Sequence, residues 1–371
     1  MHIAINCRSF SKKQFTGIGR YASSLVAALS QIDADNRYSL YTTRGWSEVK
    51  SWIARRDAAN FSVKLDWFQR GPAKTLRSID IYHAPSPEAV PGFNARIVVT
   101  VHDLIYKTYP QGHTQETLAL SEAQFQSFIP RCARIICSSR STQNDLHRHF
   151  PEARDKTCYV YQGVDTNNFY PLAQWEIPSA WKIARGKGVA GPFVLFVGTV
   201  EPRKNLKGLL EAFARLKQKK VFDGKLVVIG MTGWRSEGLA GFIEDLGMND
   251  DVISLGFVTN DELRVFYNLA EVFAFPSFYE GFGYPILEAF SCGAAVVTSN
   301  VSSCPELAGD AALTVDPADP EAIARAMGRV LLEPGLKNAL KHKALARAQG
   351  FNNQETARKT LRVYEEVYNL K

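Results

Sequence analysis

Short apolar runs recur along this chain, most followed by a longer stretch with helical spacing, and that alternation leaves few folds open. Residues 3–6, 38–42, 79–83, 97–101, 134–138 and 157–161 read as strands in the first half, and 193–197, 225–229, 252–255, 272–275 and 294–298 in the second. Continuous apolar strands alternating with helices point to parallel sheets covered on both faces, an α/β, doubly wound architecture. At 371 residues the chain exceeds what one hydrophobic core usually supports, so two domains are expected. Their bounds are read as 1–180 and 190–350. Between 167 and 192 the pattern breaks at Pro171, Pro178, Gly186, Gly188 and Gly191, which reads as an interdomain linker.

Two stretches carry chemistry. Glu280 to Glu288 encloses Gly281, Phe282, Gly283, Tyr284 and Pro285 between two carboxylates, directly after a strand closed by Pro276. Gly281 and Gly283 permit close backbone approaches, and Pro285 suits a helix start. Glu280 is therefore expected in a loop mouth and Glu288 in the first helical turn, where a carboxylate is favoured and can accept from ligand hydroxyls. The second stretch runs from Gly198 through Glu201, Arg203 and Lys204 to Asn205. It follows a strand and precedes a helix whose Leu206, Leu209, Leu210, Phe213 and Leu216 share one face. A basic pair at a helix N-terminus suits phosphate, Arg as a planar fork and Lys as a compact charge. Glu201 is out of place beside a phosphate unless it turns away.

Weaker signals lie in the first half. Gly17 and Gly19 precede a helix expected from about Tyr21, with Tyr21, Leu25, Ala28 and Leu29 inward; a tight turn explains the glycines as well as a ligand does. His102 and Asp103 follow the strand 97–101 at its carboxyl end, the side on which open α/β sheets bind ligands. His147 and His149, two apart on one helix, face different directions and are rejected as metal ligands.

With these motifs the chain resembles a retaining glycosyltransferase of the GT-B type, in the large family that includes sucrose synthases and many bacterial mannosyltransferases. The resemblance rests on Glu280 and Glu288 in their setting from Phe278 to Gly293, on Gly198 with Arg203 and Lys204, and on His102–Asp103 and the run 162–165. It implies two Rossmann-like lobes with a nucleotide-sugar cleft between them, no metal or other cofactor, and a last helix, 354–371, that rejoins the first lobe. It implies that Arg203 and Lys204 stabilise the leaving diphosphate, that Glu288 holds the ribose, and that Glu280 orients the sugar. His102 would then contact the sugar from the acceptor-side lobe, with Asp103 shaping its loop and Gly17 and Gly19 facing the donor phosphates, and Gly198, Gly281, Phe282 and Gly283 would shape the donor site. GDP-mannose is the favoured donor because the Glu280–Glu288 wording resembles bacterial polysaccharide mannosyltransferases; UDP, ADP and dTDP donors stay open. Two rivals are a nucleotide-sugar epimerase of the same type, which would turn over donor without acceptor, and a non-catalytic sugar-binding protein.

Composition sets the surroundings. Hydrophobic residues make up 46% and charged residues 22%, as in ordinary soluble globular proteins. Six cysteines form no C-x-x-C pair and read as buried free thiols of a reducing compartment. No apolar run reaches spanning length, and Met1 leads straight into a strand, so the expected location is the cytoplasm. Residues 1–180 hold 21 Lys and Arg against 15 Asp and Glu, whereas 181–371 hold 23 against 22. Nearly all of the net charge of +7 therefore lies in the first half, which suits an anionic membrane surface and a lipid-linked saccharide acceptor. No Lys/Arg run or base-stacking motif points to nucleic acid.

Overall fold

The computed structural model describes residues 1–9, 17–43, 49, 58–87, 94–231 and 238–370. The chain divides into two compact units, Met1–Gly163 with Asn352–Lys371, and Val164–Phe351.

The first unit is built on seven parallel strands: β1 (His2–Asn6), β2 (Arg37–Thr42), β3 (Phe61–Leu65), β4 (Ile81–Ala84), β5 (Arg96–Val101), β6 (Arg134–Cys137) and β7 (Thr157–Tyr159). Their order is β3-β2-β1-β4-β5-β6-β7, so the winding reverses between β1 and β4. Strand residues alternate between two apolar layers. Ile3 and Ile5 pack with the helices Gly17–Ile32 and Asn353–Asn369, and Ala4 faces the layer that holds Phe125, Phe128 and Leu146.

The second unit holds six parallel strands, β8 (Phe193–Val197), β9 (Lys225–Ile229), β10 (Val252–Gly256), β11 (Val272–Phe275), β12 (Val296–Ser299) and β13 (Ala312–Val315), in the order β10-β9-β8-β11-β12-β13. The helix Leu206–Gln218 buries Leu206, Leu209, Leu210, Phe213 and Leu216 in this core. Each such side chain contributes about 1.5–3 kcal/mol when removed from water.

Several expectations need correction. Strands β3 and β13 are absent from the sequence reading, because these two edge strands lack a continuous apolar run. Only Phe61 is buried in β3, and β13 is four residues with a partly exposed middle. The segment 167–192 is not a linker but part of the second unit, whose boundary falls at 163/164 rather than 180–190. Leu172 N donates to Asn268 Oδ1 at 2.8 Å and Arg264 Nη1 to Asn168 O at 3.1 Å, while Ile177–Gly186 forms a helix there. The glycines at 17 and 19 stand in the first turn of a helix that begins at Gly17, not in a loop before Tyr21.

The last helix is capped by Asn352, whose Oδ1 accepts from Glu355 N at 2.8 Å. Its buried stripe runs through Ala357, Thr360, Val363, Tyr364 and Val367, leaving Tyr368 46% exposed. Threonines can enter that stripe because their hydroxyls are satisfied by carbonyls, Thr360 Oγ1 by Thr356 O at 2.8 Å and Thr356 Oγ1 by Tyr161 O at 2.9 Å. A buried polar chain fixes the helix to the sheet. Tyr364 Oη lies 2.6 Å from His83 Nδ1, His83 Nε2 2.9 Å from Thr100 Oγ1, and Thr100 Oγ1 3.1 Å from Tyr21 Oη. Burial, followed by the neighbouring His102, pushes the His83 pKa down to about 3.

Candidate donor site

Strands β8 and β11 are neighbours at the point where the second sheet reverses its winding, which is where open parallel sheets bind ligands. The loops leaving their carboxyl ends carry the two charged stretches, so the topology joins segments more than seventy residues apart in sequence.

After β8 the backbone turns through Gly198, against which Gly230 packs so tightly that a Cβ on Gly230 would lie 2.0 Å from the Gly198 carbonyl oxygen. Pro202–Lys204 then forms a single 3₁₀ turn. Asn205 adopts the left-handed conformation, φ 58°, and caps the next helix through Gly208 N at 3.2 Å. Its amide also donates to Pro276 O at 3.1 Å and Pro317 O at 2.6 Å, and Phe278 N donates to Arg203 O at 2.7 Å. One buried asparagine thus ties the basic loop to the carboxylate loop.

The charges meet between those loops. Lys204 Nζ donates to Glu280 Oε1 at 2.5 Å, and Arg203 Nη1 lies 3.0 Å from Glu280 Oε2 and 3.1 Å from Tyr279 O. Glu201 turns to Arg203 Nη2 at 2.6 Å, which answers how a carboxylate is tolerated beside the basic pair. Lys204 also stands 4.7 Å from the centre of the Phe275 ring, a cation–π contact. Burial alone would raise the Glu280 pKa, but Arg203 and then Lys204 outweigh it and hold the carboxyl below its ordinary range. Burial lowers the Lys204 pKa against the opposing pull of Glu280.

Glu280 is therefore not a free carboxylate in a loop mouth. It is 6% exposed with both oxygens engaged by cations, because a buried charge without a partner costs several kcal/mol. Its backbone is fixed as well: Glu280 N donates to Ser302 Oγ at 3.0 Å, and Ser303 Oγ donates to Glu280 O at 2.9 Å and Phe282 O at 2.6 Å. Nothing in a serine pair alone announces this brace in the sequence. Gly281, Phe282 and Gly283 are buried, and Gly283, φ 107°, caps the helix Tyr284–Ser291. Glu288 is the fifth residue of that helix, in its second turn rather than its first, and accepts from Tyr267 Oη at 3.0 Å.

In the first unit, His102 Nε2 lies 2.7 Å from Pro85 O and Nδ1 2.8 Å from the Gln162 amide. A carbonyl can only accept, so Nε2 carries the proton and Nδ1 accepts from Gln162. Burial pushes the His102 pKa down, which favours this neutral form. Both ring nitrogens expected to serve a sugar are thus taken up by the unit's own groups. Gln162 is the partner whose role the sequence left open. Asp103 Oδ1 accepts from Ile105 N at 3.1 Å. Among the described residues, no group of three or more His, Cys, Asp or Glu is arranged to hold a metal ion.

Two family models match the chain, Glycosyltransferase Family 4 over residues 15–168 and Glycosyl transferases group 1 over residues 180–347. O-antigen chain mannosyltransferase B of Escherichia coli is 29% identical over 95% of this chain and 97% of its own. The serotype-specific mannosyltransferase WbdA of Escherichia coli is 35% identical over 96% of this chain, which spans 47% of that longer relative. Among solved structures, Anabaena HepE in complex with UDP and glucose superposes with a TM-score of 0.76 at 18% identity, covering 99% of this chain and 100% of that one.

Proposed function

Because this chain belongs to the glycosyl transferases group 1 family and has the GT-B fold, we infer that it moves a mannosyl group from GDP-mannose to a saccharide acceptor, with retention at the anomeric carbon. The observation that carries this reading is the buried cluster of Arg203, Lys204 and Glu280 at the switch point of the second sheet. The mannosyl choice is supported by the names of the two Escherichia coli relatives, which also suggest an O-antigen or similar surface polysaccharide as the product.

In this reading the donor diphosphate lies against Arg203 and Lys204. The acceptor hydroxyl oxygen bonds to the sugar's C1 as the bond from C1 to the diphosphate oxygen breaks. The hydroxyl proton passes to the departing diphosphate on the same face. Negative charge grows on the leaving group, where preorganised cations act most strongly. Glu280 and Glu201 hold both cations in position before the donor arrives, so little reorganisation is needed. Glu288, oriented by Tyr267, accepts from the ribose hydroxyls, and Glu280 contacts the sugar once the phosphate shares its cations. Met231 and Phe257, exposed at the carboxyl ends of β9 and β10, offer apolar surface to the base. His102 orients its loop through Pro85 and Gln162. The acceptor is read as a lipid-linked saccharide held by the first unit at the cytoplasmic leaflet. None of the described helices is long and apolar enough to cross a membrane.

The test is a donor screen. GDP-mannose, UDP-glucose, ADP-glucose and a dTDP-sugar are each incubated with the purified protein and a mannoside acceptor, and the product linkage is read by NMR. Transfer from GDP-mannose giving an α-linked product is expected. Turnover with UDP-sugars alone would overturn the donor assignment, and a β-linked product would overturn retention.

A further inference from the structure

Trp67 and Phe68 are each 75% exposed, side by side at the carboxyl end of the edge strand β3. Two adjacent large aromatics in water are unfavourable, and their turn is not loose. Asp66, 2% exposed, accepts from Arg70 N at 3.0 Å, Gly71 N at 2.7 Å and Tyr41 Oη at 2.9 Å. Gln69 is held at φ 52° and Gly71 at φ 93°, the first a conformation that side chains rarely adopt. The buried carboxylate thus fixes a turn whose tip is apolar.

Positive charge flanks that tip in the sequence. Lys64, Arg70, Lys74 and Arg77 are all exposed, and the single acidic residue from 64 to 77 is the buried Asp66. The Arg70 guanidinium lies 5.6 Å from the centre of the Phe68 ring. Aromatic side chains at the headgroup level, ringed by cations, are what an anionic bilayer surface binds.

We propose that the turn 66–71 is a membrane-docking wedge: Trp67 and Phe68 enter the interface of an anionic bilayer while Lys64, Arg70, Lys74 and Arg77 pair with lipid phosphates. The proposal deepens the lipid-linked acceptor assigned above and rests on that reading for its purpose, not for its physics. All seven strands of the first sheet run parallel, so the wedge and the His102 loop both leave the carboxyl end of the sheet. Four strand steps separate β3 from β5, about 19 Å at the usual spacing, short enough for a lipid-anchored saccharide to reach inward from the surface. An oligosaccharide stacking on the two rings is the competing use of the same surface, but it leaves the four cations without a role.

The experiment measures sedimentation with vesicles of phosphatidylcholine alone and with added phosphatidylglycerol, alongside turnover of a water-soluble acceptor. Wild-type protein should bind the anionic vesicles and release in high salt. Trp67→Ala/Phe68→Ala and Arg70→Glu/Lys74→Glu should each weaken binding at least about tenfold with soluble-acceptor kinetics unchanged. Trp67→Phe should keep binding but lose quenching of tryptophan fluorescence by brominated lipid. Unchanged vesicle binding in both double variants overturns the wedge. A raised KM for a soluble oligosaccharide with vesicle binding intact overturns it in favour of a saccharide platform. Absence of transfer from any donor would sink the functional reading and leave the vesicle result standing.

Discussion

The Lys204 ammonium and the Glu280 carboxylate, 76 positions apart in sequence, share a hydrogen bond of 2.5 Å at the reversal point of the second sheet. Arg203 takes the other carboxylate oxygen at 3.0 Å. A buried pair of this kind adds little net stability, because desolvation offsets attraction, but removing one member strands the other. In the function proposed above, its value lies in placing two cations before an anionic ligand arrives.

Glu280→Ala should therefore destabilise the second unit by about 3–5 kcal/mol, since Lys204 stays buried without its partner. Glu280→Gln, which keeps an acceptor oxygen, should cost less. Urea denaturation followed by a probe in the second unit checks this. A midpoint in Glu280→Ala equal to wild type would remove the buried-charge account.

Arg203→Ala and Lys204→Ala should each lower kcat about a hundredfold or more, the usual scale for losing one group that stabilises developing charge. Single-turnover assays with saturating donor isolate the step. Near-normal turnover in either variant excludes that residue from leaving-group stabilisation.

Tyr267→Phe removes the hydrogen bond to Glu288 at 3.0 Å and leaves the fold otherwise intact. Nucleoside diphosphate affinity should fall several-fold, with kcat at saturation close to wild type, because a uniform binding contact is lost. Glu288→Gln should show the larger affinity loss in the same titration. If calorimetry finds affinity unchanged in both, Glu288 does not hold the nucleotide.

The first unit should lose stability in mild acid through His83. Its pKa is about 3 when folded and about 6.5 in the unfolded chain. Between those values the unfolded state takes up a proton that the folded state refuses, so stability falls as pH drops from about 6.5. The slope approaches about 1.4 kcal/mol per pH unit. Thermal melting of wild type and His83→Gln from pH 7 to pH 5 tests this. The variant should melt lower at pH 7 and depend less on pH, and parallel pH slopes would show that His83 is not the group responsible.

Glu280 acts in the same direction at lower pH. Its pKa is held below the ordinary carboxyl range, so its contribution is complete above about 4.3 and is lost as pH falls through the lower folded value. Glu280→Gln should show a shallower acid transition in the second unit by hydrogen exchange, and an identical transition would contradict the assignment.

Sequence alone determined the local chemistry and the alternation of elements. The runs 193–197, 225–229 and 272–275 are strands as read, and the inward stripe of the helix after Asn205 is fully buried, because a strand covered on both faces and a one-sided helix each impose their own apolar period. Two of the four edge strands escaped that reading, since β3 and β13 carry mixed polarity. The family was legible in Glu280, Glu288, Arg203 and Lys204. Tertiary structure alone decided what those charges face. The order β9-β8-β11 brings two distant loops together and turns Glu280 from a free carboxylate into the partner of Lys204 and Arg203. The same holds for His102, whose ring nitrogens meet Pro85 and Gln162. A sequence records which side chains carry charge or a hydrogen-bonding atom. Which of them are left for a ligand depends on partners brought close by the sheet crossings, because a buried polar group is stable only when those partners are present.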